Sequence, residues 1–253
     1  MMIKFISIIC VLVLALCAGA KTLDEPTRLR RVKRNSGDVI IQRIPAIEQK
    51  RNYCLPASVE MILRYYGAKV NQRELGKIFN SSRKIGTSNN IGKYFGSGEL
   101  EDFKYTTLYA LSQQEYQRMV EVYQQALPTA ARKRFQKQLQ KGKSAFDLMD
   151  LRRCPEELDN IRQPAAKAMR QACKTYIDQG YPLLWSVAMG LDPNDRDTGF
   201  HARIIAGYQE KDGVITEIIY LDSWYGRRKF KRMPFTAAVL QTRKIAVIEP
   251  LSK

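Results

Sequence analysis

The chain has 253 residues, of which 45% are hydrophobic and 26% charged, and it carries a formal net charge of +17. This composition excludes intrinsic disorder, leaves room for one large domain or two small ones, and contains no internal repeat or low-complexity tract. The basic surplus attracts nucleic acid, anionic lipid or acidic wall polymers without choosing among them, but no zinc-finger spacing, aromatic interleaving or RNA-binding motif accompanies it, so a specific nucleic-acid role is not expected.

Residues 1–20, MMIKFISIICVLVLALCAGA, place Lys4 before a long apolar run with a small-residue exit, the pattern of a secretory signal. Leu16 is too bulky for the position before a lipid-attached cysteine, which disfavours Cys17 as an anchor. No second stretch is apolar for long enough to span a bilayer, so the expectation is a secreted or periplasmic protein without a membrane span. Loss of the signal removes Cys10 and Cys17 and leaves Cys54, Cys154 and Cys173, with a net charge of +16 once Lys4 has gone. In an oxidising compartment two of the three would pair. Joining Cys154 to Cys173, which lie in one helical region, would contribute roughly 3 kcal/mol and leave Cys54 as the odd thiol, although spacing cannot fix connectivity. Next comes RLRRVKR at 28–34, five of whose seven residues are basic. Residues 21–38 therefore read as a solvated basic tail or a short propeptide, and 39–253 as the domain proper.

A short strand is expected at 39–44, then a helix in NYCLPASVEMILRYYG at 52–67: Leu55, Val59, Ile62 and Tyr66 recur at helical spacing, Pro56 suits the first turn and Gly67 supplies the stop. A second helix follows at about 72–79. Asn80-Ser-Ser82 is a glycosylation sequon, and the Gly, Ser and Asn of 81–99 predict an exposed loop. From about 101 to 180 the chain reads as helical, with Ser112 and Glu115 forming a capping box, Thr129 placed to cap the next helix, and Pro155 and Pro164 punctuating a third stretch. After Tyr181 strands are expected at 183–188, 200–208, 214–222 and 244–249, with a short helix at 235–240. Helices first and antiparallel strands later predict an α+β domain.

Cys54 stands at the positive end of its helix, where a thiolate is stabilised; its plainer reading is a small buried hydrophobe. His201 is the chain's one histidine. The turn signal EKDG at 210–213 joins two strands into a hairpin. With Lys211 and Asp212 as its loop, His201 lies directly opposite Asp222; with Asp212 and Gly213, Asp222 faces Arg203, on the same side as His201. Either register puts imidazole and carboxylate on one face, roughly 5–8 Å apart at Cβ. A carboxylate there orients and charges the imidazole, although Asp222 could equally cap the turn that follows it. Gln49, five residues before Cys54, can add its amide to the Cys54 N–H as a second oxyanion donor.

Gln49, YCLPASVEMILRYYG, HARIIAGY and LDSWYG together resemble the papain-like cysteine peptidases, closest to the bacteriocin-processing double-glycine peptidases, the thirty-ninth cysteine peptidase family, and their secreted relatives. The resemblance covers about 39–80 and 182–250 and has one departure, Leu55 in place of the usual glycine. It implies a papain-like α+β fold, an N-terminal catalytic helix on an antiparallel sheet, here with an inserted helical block at about 101–180. It also implies Cys54 as nucleophile, His201 as general base and acid, Asp222 as orienting carboxylate, Gln49 as oxyanion donor and Trp224 as a shield over the histidine pair. The expected function is an exported cysteine peptidase or amidase acting on a peptide or protein substrate with no metal or cofactor, and with electrostatic association to anionic envelope surfaces. An acyltransferase of transglutaminase type, or an inactive peptide-binding module, would use the same residues.

Overall fold

The computed structural model describes residues 27–28, 31–79, 91–96, 98–150, 155–189, 199–225 and 230–251. The expected signal segment, the sequon and Cys154 lie outside the described residues. The elements run β1 (Val32–Asn35), β2 (Asp38–Ile41), α1 (Cys54–Tyr65), α2 (Gln72–Ile78), β3 (Phe103–Ala110), α3 (Gln113–Ala126) and α4 (Thr129–Gln140). They continue with α5 (Glu157–Ile161), α6 (Gln163–Tyr176), β4 (Leu183–Met189), β5 (Gly199–Lys211), β6 (Val214–Asp222), β7 (Lys231–Pro234), α7 (Phe235–Gln241) and β8 (Thr242–Pro250).

The eight strands of the described residues form one antiparallel sheet. β5 organises it. One edge of β5 pairs with β6 from Arg203 to Lys211; its other edge pairs first with β4 and then, beyond Ile205, with β2. β4 passes the sheet on to β8, and β8 to β3. The switch from β4 to β2 requires close backbone approach at Gly207, where a Cβ would come within 2.3 Å of the Val39 carbonyl oxygen.

The turn between β5 and β6 selects the second of the two expected registers. Asp212 and Gly213 both take left-handed backbone, φ 51° and 78°, as a two-residue hairpin loop demands. Lys211 then pairs with Val214, and Arg203 with Asp222. Two irregularities lie between these pairs: Thr216 is an extra residue on β6 and Ala206 an extra residue on β5, so the slips cancel and the far end regains its register.

α1 is buried on nearly every side, only Arg64 being exposed, and lies against β5, with the Ser58 hydroxyl donating to the Ala202 carbonyl at 3.1 Å. Its far end is fixed by Tyr65, donating to Gly180 O at 2.9 Å, and Tyr66, donating to Ile248 O at 2.8 Å. The capping box at Ser112 and Glu115 forms as expected, whereas α4 starts at Thr129 itself, with Pro128 at the cap. Arg162, fully buried between α5 and α6, donates to the Tyr109 hydroxyl at 2.8 Å and to the carbonyls of Val239 and Thr242, tying the helical block to β3, α7 and β8.

Three expectations need correction. The stretch read as helical from about 101 opens with β3, an edge strand along β8; FKYTTLYA is rich in aromatic and β-branched residues that suit a half-buried strand. Of the run at 28–34, the described residues Arg28 and Arg31–Arg34 do not form a loose tail. Arg28 is buried and donates to the Tyr181 hydroxyl at 2.7 Å, Arg31 donates to Tyr65 O at 3.0 Å, both guanidinium groups lie over those rings, and β1 pairs with β2. The sheet therefore begins before residue 39. The Cys154–Cys173 disulfide is not formed either, because Cys173 is a free thiol buried in α6.

Candidate active site

Cys54 is the first residue of α1, and no side chain caps that helix; Pro56 has no N–H, the Ala57 N–H donates to Tyr53 O at 2.8 Å and the Leu55 N–H acts on the Cys54 sulfur, so the Cys54 N–H is the first-turn donor left for an anion. His201 and Asp222 come from the open end of the β5–β6 hairpin, where the cancelled slips set His201 diagonally across from Asp222 and on the same face as Arg203. Asp222 Oδ1 accepts from His201 Nε2 at 2.8 Å and from the Trp224 N–H at 3.0 Å; Oδ2 accepts from Arg203 Nε at 3.0 Å. Both readings of Asp222 therefore hold at once: it orients the imidazole and it caps the turn. With Nε2 committed to Asp222, Nδ1 is the ring nitrogen left for the Cys54 thiol, and the imidazole acts on that thiol to lower its pKa. The Trp224 ring stacks on His201 with centroids 4.5 Å apart and planes 26° from parallel, covering the pair from water.

The electrostatics follow from these contacts. Burial, the largest single influence on the Cys54 thiol, pushes it up, but the hydrogen bond and charge of His201, with backbone hydrogen bonds from Ala202 and Leu55, together bring it below its ordinary 9.0. For His201 burial again acts most strongly and opposes the cation, yet Asp222 and Cys54 together raise it above 6.5. Asp222 is driven far below the usual carboxylate range. Burial resists this, and the hydrogen bond and charge of His201, then Arg203 and the Trp224 N–H, override it. Both shifts run in the direction of a thiolate beside an imidazolium.

Gln49 is held twice by the residue after Asp222: its N–H donates to Ser223 O at 2.8 Å and its Oε1 accepts from the Ser223 hydroxyl at 2.7 Å. With Oε1 so engaged, Nε2 is the end of the amide left to donate to an oxyanion. Gln72 fixes the same loop from behind. Its Nε2 donates to Glu48 O at 2.9 Å and its Oε1 accepts from Lys50 N–H at 2.8 Å, bracketing Gln49, while buried Glu60 of α1 accepts from the Gln72 N–H at 2.7 Å. The structure thus brings Cys54, His201, Asp222, Gln49 and Trp224 together, and leaves Cys173 apart in α6 with Cys154 outside the described residues. Ser223, Gln72 and Glu60 are the site residues that sequence reasoning passed over, and Arg203 was placed opposite Asp222 in one register without a role in the site. Arg203 alone had a legible signal, two positions beyond His201 on the same strand face.

Among the described residues no cluster of three or more His, Cys, Asp and Glu side chains is placed to hold a metal ion, and no helix is long and apolar enough to cross a membrane. A model of the Peptidase_C39 like family matches residues 41–246. The chain belongs to that family, and its fold is the α+β, papain-like fold of a cysteine peptidase-like protein. A search of curated proteins finds no match.

Proposed function

We propose that the chain is an active, exported cysteine peptidase or amidase that works through Cys54, His201 and Asp222. The observation that carries this reading is the pairing of a lowered Cys54 thiol with a raised His201, the latter locked to Asp222 through Nε2. The proton of Cys54 passes to His201 Nδ1 and the sulfur attacks a peptide carbonyl carbon. The oxyanion that forms accepts from the Cys54 N–H and the Gln49 amide, whose backbone N–H and Oε1 are already held by Ser223. The imidazolium returns its proton to the departing amine, the C–N bond breaks, and a thioester remains on Cys54. Water, deprotonated by the same imidazole, attacks that thioester; the acid product leaves and the thiol is restored. Export rests on the apolar segment at 1–20.

The test uses the full chain, its Cys54→Ser variant and a mixture of short peptides read by mass spectrometry, with a peptidyl vinyl sulfone as covalent probe. Cleavage to free acids, with stoichiometric labelling of Cys54, is expected in the native chain and in neither assay for the variant. A native chain that neither cleaves peptides nor labels at Cys54 would return the fold to a binding role.

A further inference from the structure

Beside the nucleophile lies a cavity of about 240 Å³ that the reaction above does not use. It begins at Leu55 and Ala202, the residues that follow Cys54 and His201, and extends over Ser186 and Lys244. Its floor is one row of the sheet, Ala202 across from Ser186, Ser186 across from Lys244 and Lys244 across from Ala110. Small-molecule sites usually span about 300–1,000 Å³, so this one suits a single side chain or chain end of a longer peptide.

The pocket's charge comes from an irregularity in β8. The pairing of β4 with β8 slips between Ser186 and Val187, making Arg243 an extra residue beside Lys244. A slip of this kind re-aims a side chain, and both Arg243 and Lys244 line the pocket. The Arg243 guanidinium lies 3.7 Å over the centre of the Phe200 ring and 5.9 Å from that of Phe146, rings that pack edge to face. Among the described residues its buried Nε has no hydrogen-bond partner and no carboxylate lies within ion-pair distance of it; Asp147 acts on it only from farther away. Burial lowers its pKa, which is the sign of a cation that an anion would stabilise.

Resting on the peptidase reading, we infer that this pocket selects a carboxylate on a short aliphatic stem: Arg243 receives the charge while Leu55, Leu184 and Ala246 enclose the stem. An acidic substrate side chain and a chain-terminal carboxylate both carry that chemistry.

The experiment is fluorescence polarisation on the Cys54→Ala variant, using capped peptides in which one Glu, or one Gln, is moved along a Gly/Ala sequence. One position should favour Glu over Gln by about tenfold or more, the lower end for a sheltered charge-assisted hydrogen bond. Adding Arg243→Gln should bring that ratio close to one and Arg243→Lys should restore part of it, with melting temperatures reporting that each variant is folded. Should the stack on Phe200 prove necessary for folding, Lys244→Gln serves as the second variant and should shrink the ratio. The same peptides with free and amidated C-termini form the second arm; a gain from the free acid alone assigns the pocket to a chain terminus. A Glu preference that is equal at every position reports only the chain's +17 surplus and overturns the inference, as does no preference in either arm. Polarisation needs no turnover. Acid-selective binding without cleavage would therefore sink the peptidase reading alone, and cleavage without acid selectivity would sink the pocket alone.

Discussion

Cys54 and Cys173 are both free, both buried and both on helices, yet their thiols are displaced in opposite directions. Cys173 sits well inside α6, fully buried, and burial with a smaller push from Asp178 takes its pKa up to about 12. Cys54 suffers the same burial but stands at a helix start, with an imidazole and two backbone hydrogen bonds within reach, and its pKa falls. Burial has one sign in both places. What separates a reactive cysteine from an inert one is the set of donors and cations around the sulfur, and the fold gathers that set at one end of one hairpin.

Removing His201 should narrow the difference. In His201→Ala the largest lowering influence goes while burial and the two backbone hydrogen bonds stay, so the Cys54 thiol should move up, toward Cys173. Peptidase kcat/KM should fall by about 10²–10⁴-fold with the loss of the general base and acid. The pH sense follows from the directions of the shifts. Cys54, lowered on folding, stabilises the native state above its unfolded value of 9.0 and loses that contribution as pH falls through its folded value; His201, raised on folding, stabilises it below 6.5 and loses that as pH rises through its own. Iodoacetamide labelling of Cys54 should therefore have its midpoint below 9.0 in the native chain and at a higher pH in the variant. An unmoved midpoint would mean that the imidazole does not act on the sulfur.

Much of this contrast is legible in the sequence, because it rests on local rules. Pro56 and Gly67 mark the helix that Cys54 opens, and EKDG at 210–213 sets a hairpin in which Asp222 and the lone histidine must share a face. The register itself is not legible: two were open, and the left-handed turn at Asp212 and Gly213 decides between them, while the bulges at Ala206 and Thr216 cancel only in three dimensions. β3 and the docked arginines were misread for a related reason. A strand at a sheet edge and a cation stacked on Tyr181 or Tyr65 depend on partners far along the chain, which no window of neighbouring residues contains. The Gln72 clamp is equally long-range, since a glutamine on a second helix is unremarkable until the Gln49 loop lies against it.

That clamp sharpens the comparison, because it supports oxyanion donation, for which the surroundings of Cys173 offer no counterpart. Gln49→Ala should lower kcat by about 10²–10³-fold, the usual loss for one oxyanion donor. Gln72→Ala leaves the amide present but frees its loop, so a smaller fall of about tenfold is expected, as for a group displaced rather than deleted. The diagnostic readout is the double variant: if Gln72 acts through Gln49, Gln72→Ala adds almost nothing to the loss in Gln49→Ala. Full additivity would make Gln72 a stability residue only.

The smallest effect lies at the other pole, where the same exchange of sulfur for oxygen should have opposite consequences at the two sites. At Cys173 the thiol packs as a small hydrophobe, and Cys173→Ala should cost about 1 kcal/mol, near the value of one buried methylene, with activity unchanged. Cys173→Ser should cost more, about 1–3 kcal/mol, because a hydroxyl would be buried where the thiol has no hydrogen bond among the described residues. At Cys54 a serine hydroxyl would inherit the His201, Ala202 and Leu55 contacts, so denaturant midpoints should barely move while activity is lost. Urea unfolding of the three variants beside the native chain measures this directly. Equal destabilisation by serine at both positions would show that the polar partners around Cys54, the imidazole included, contribute nothing to holding the residue in place.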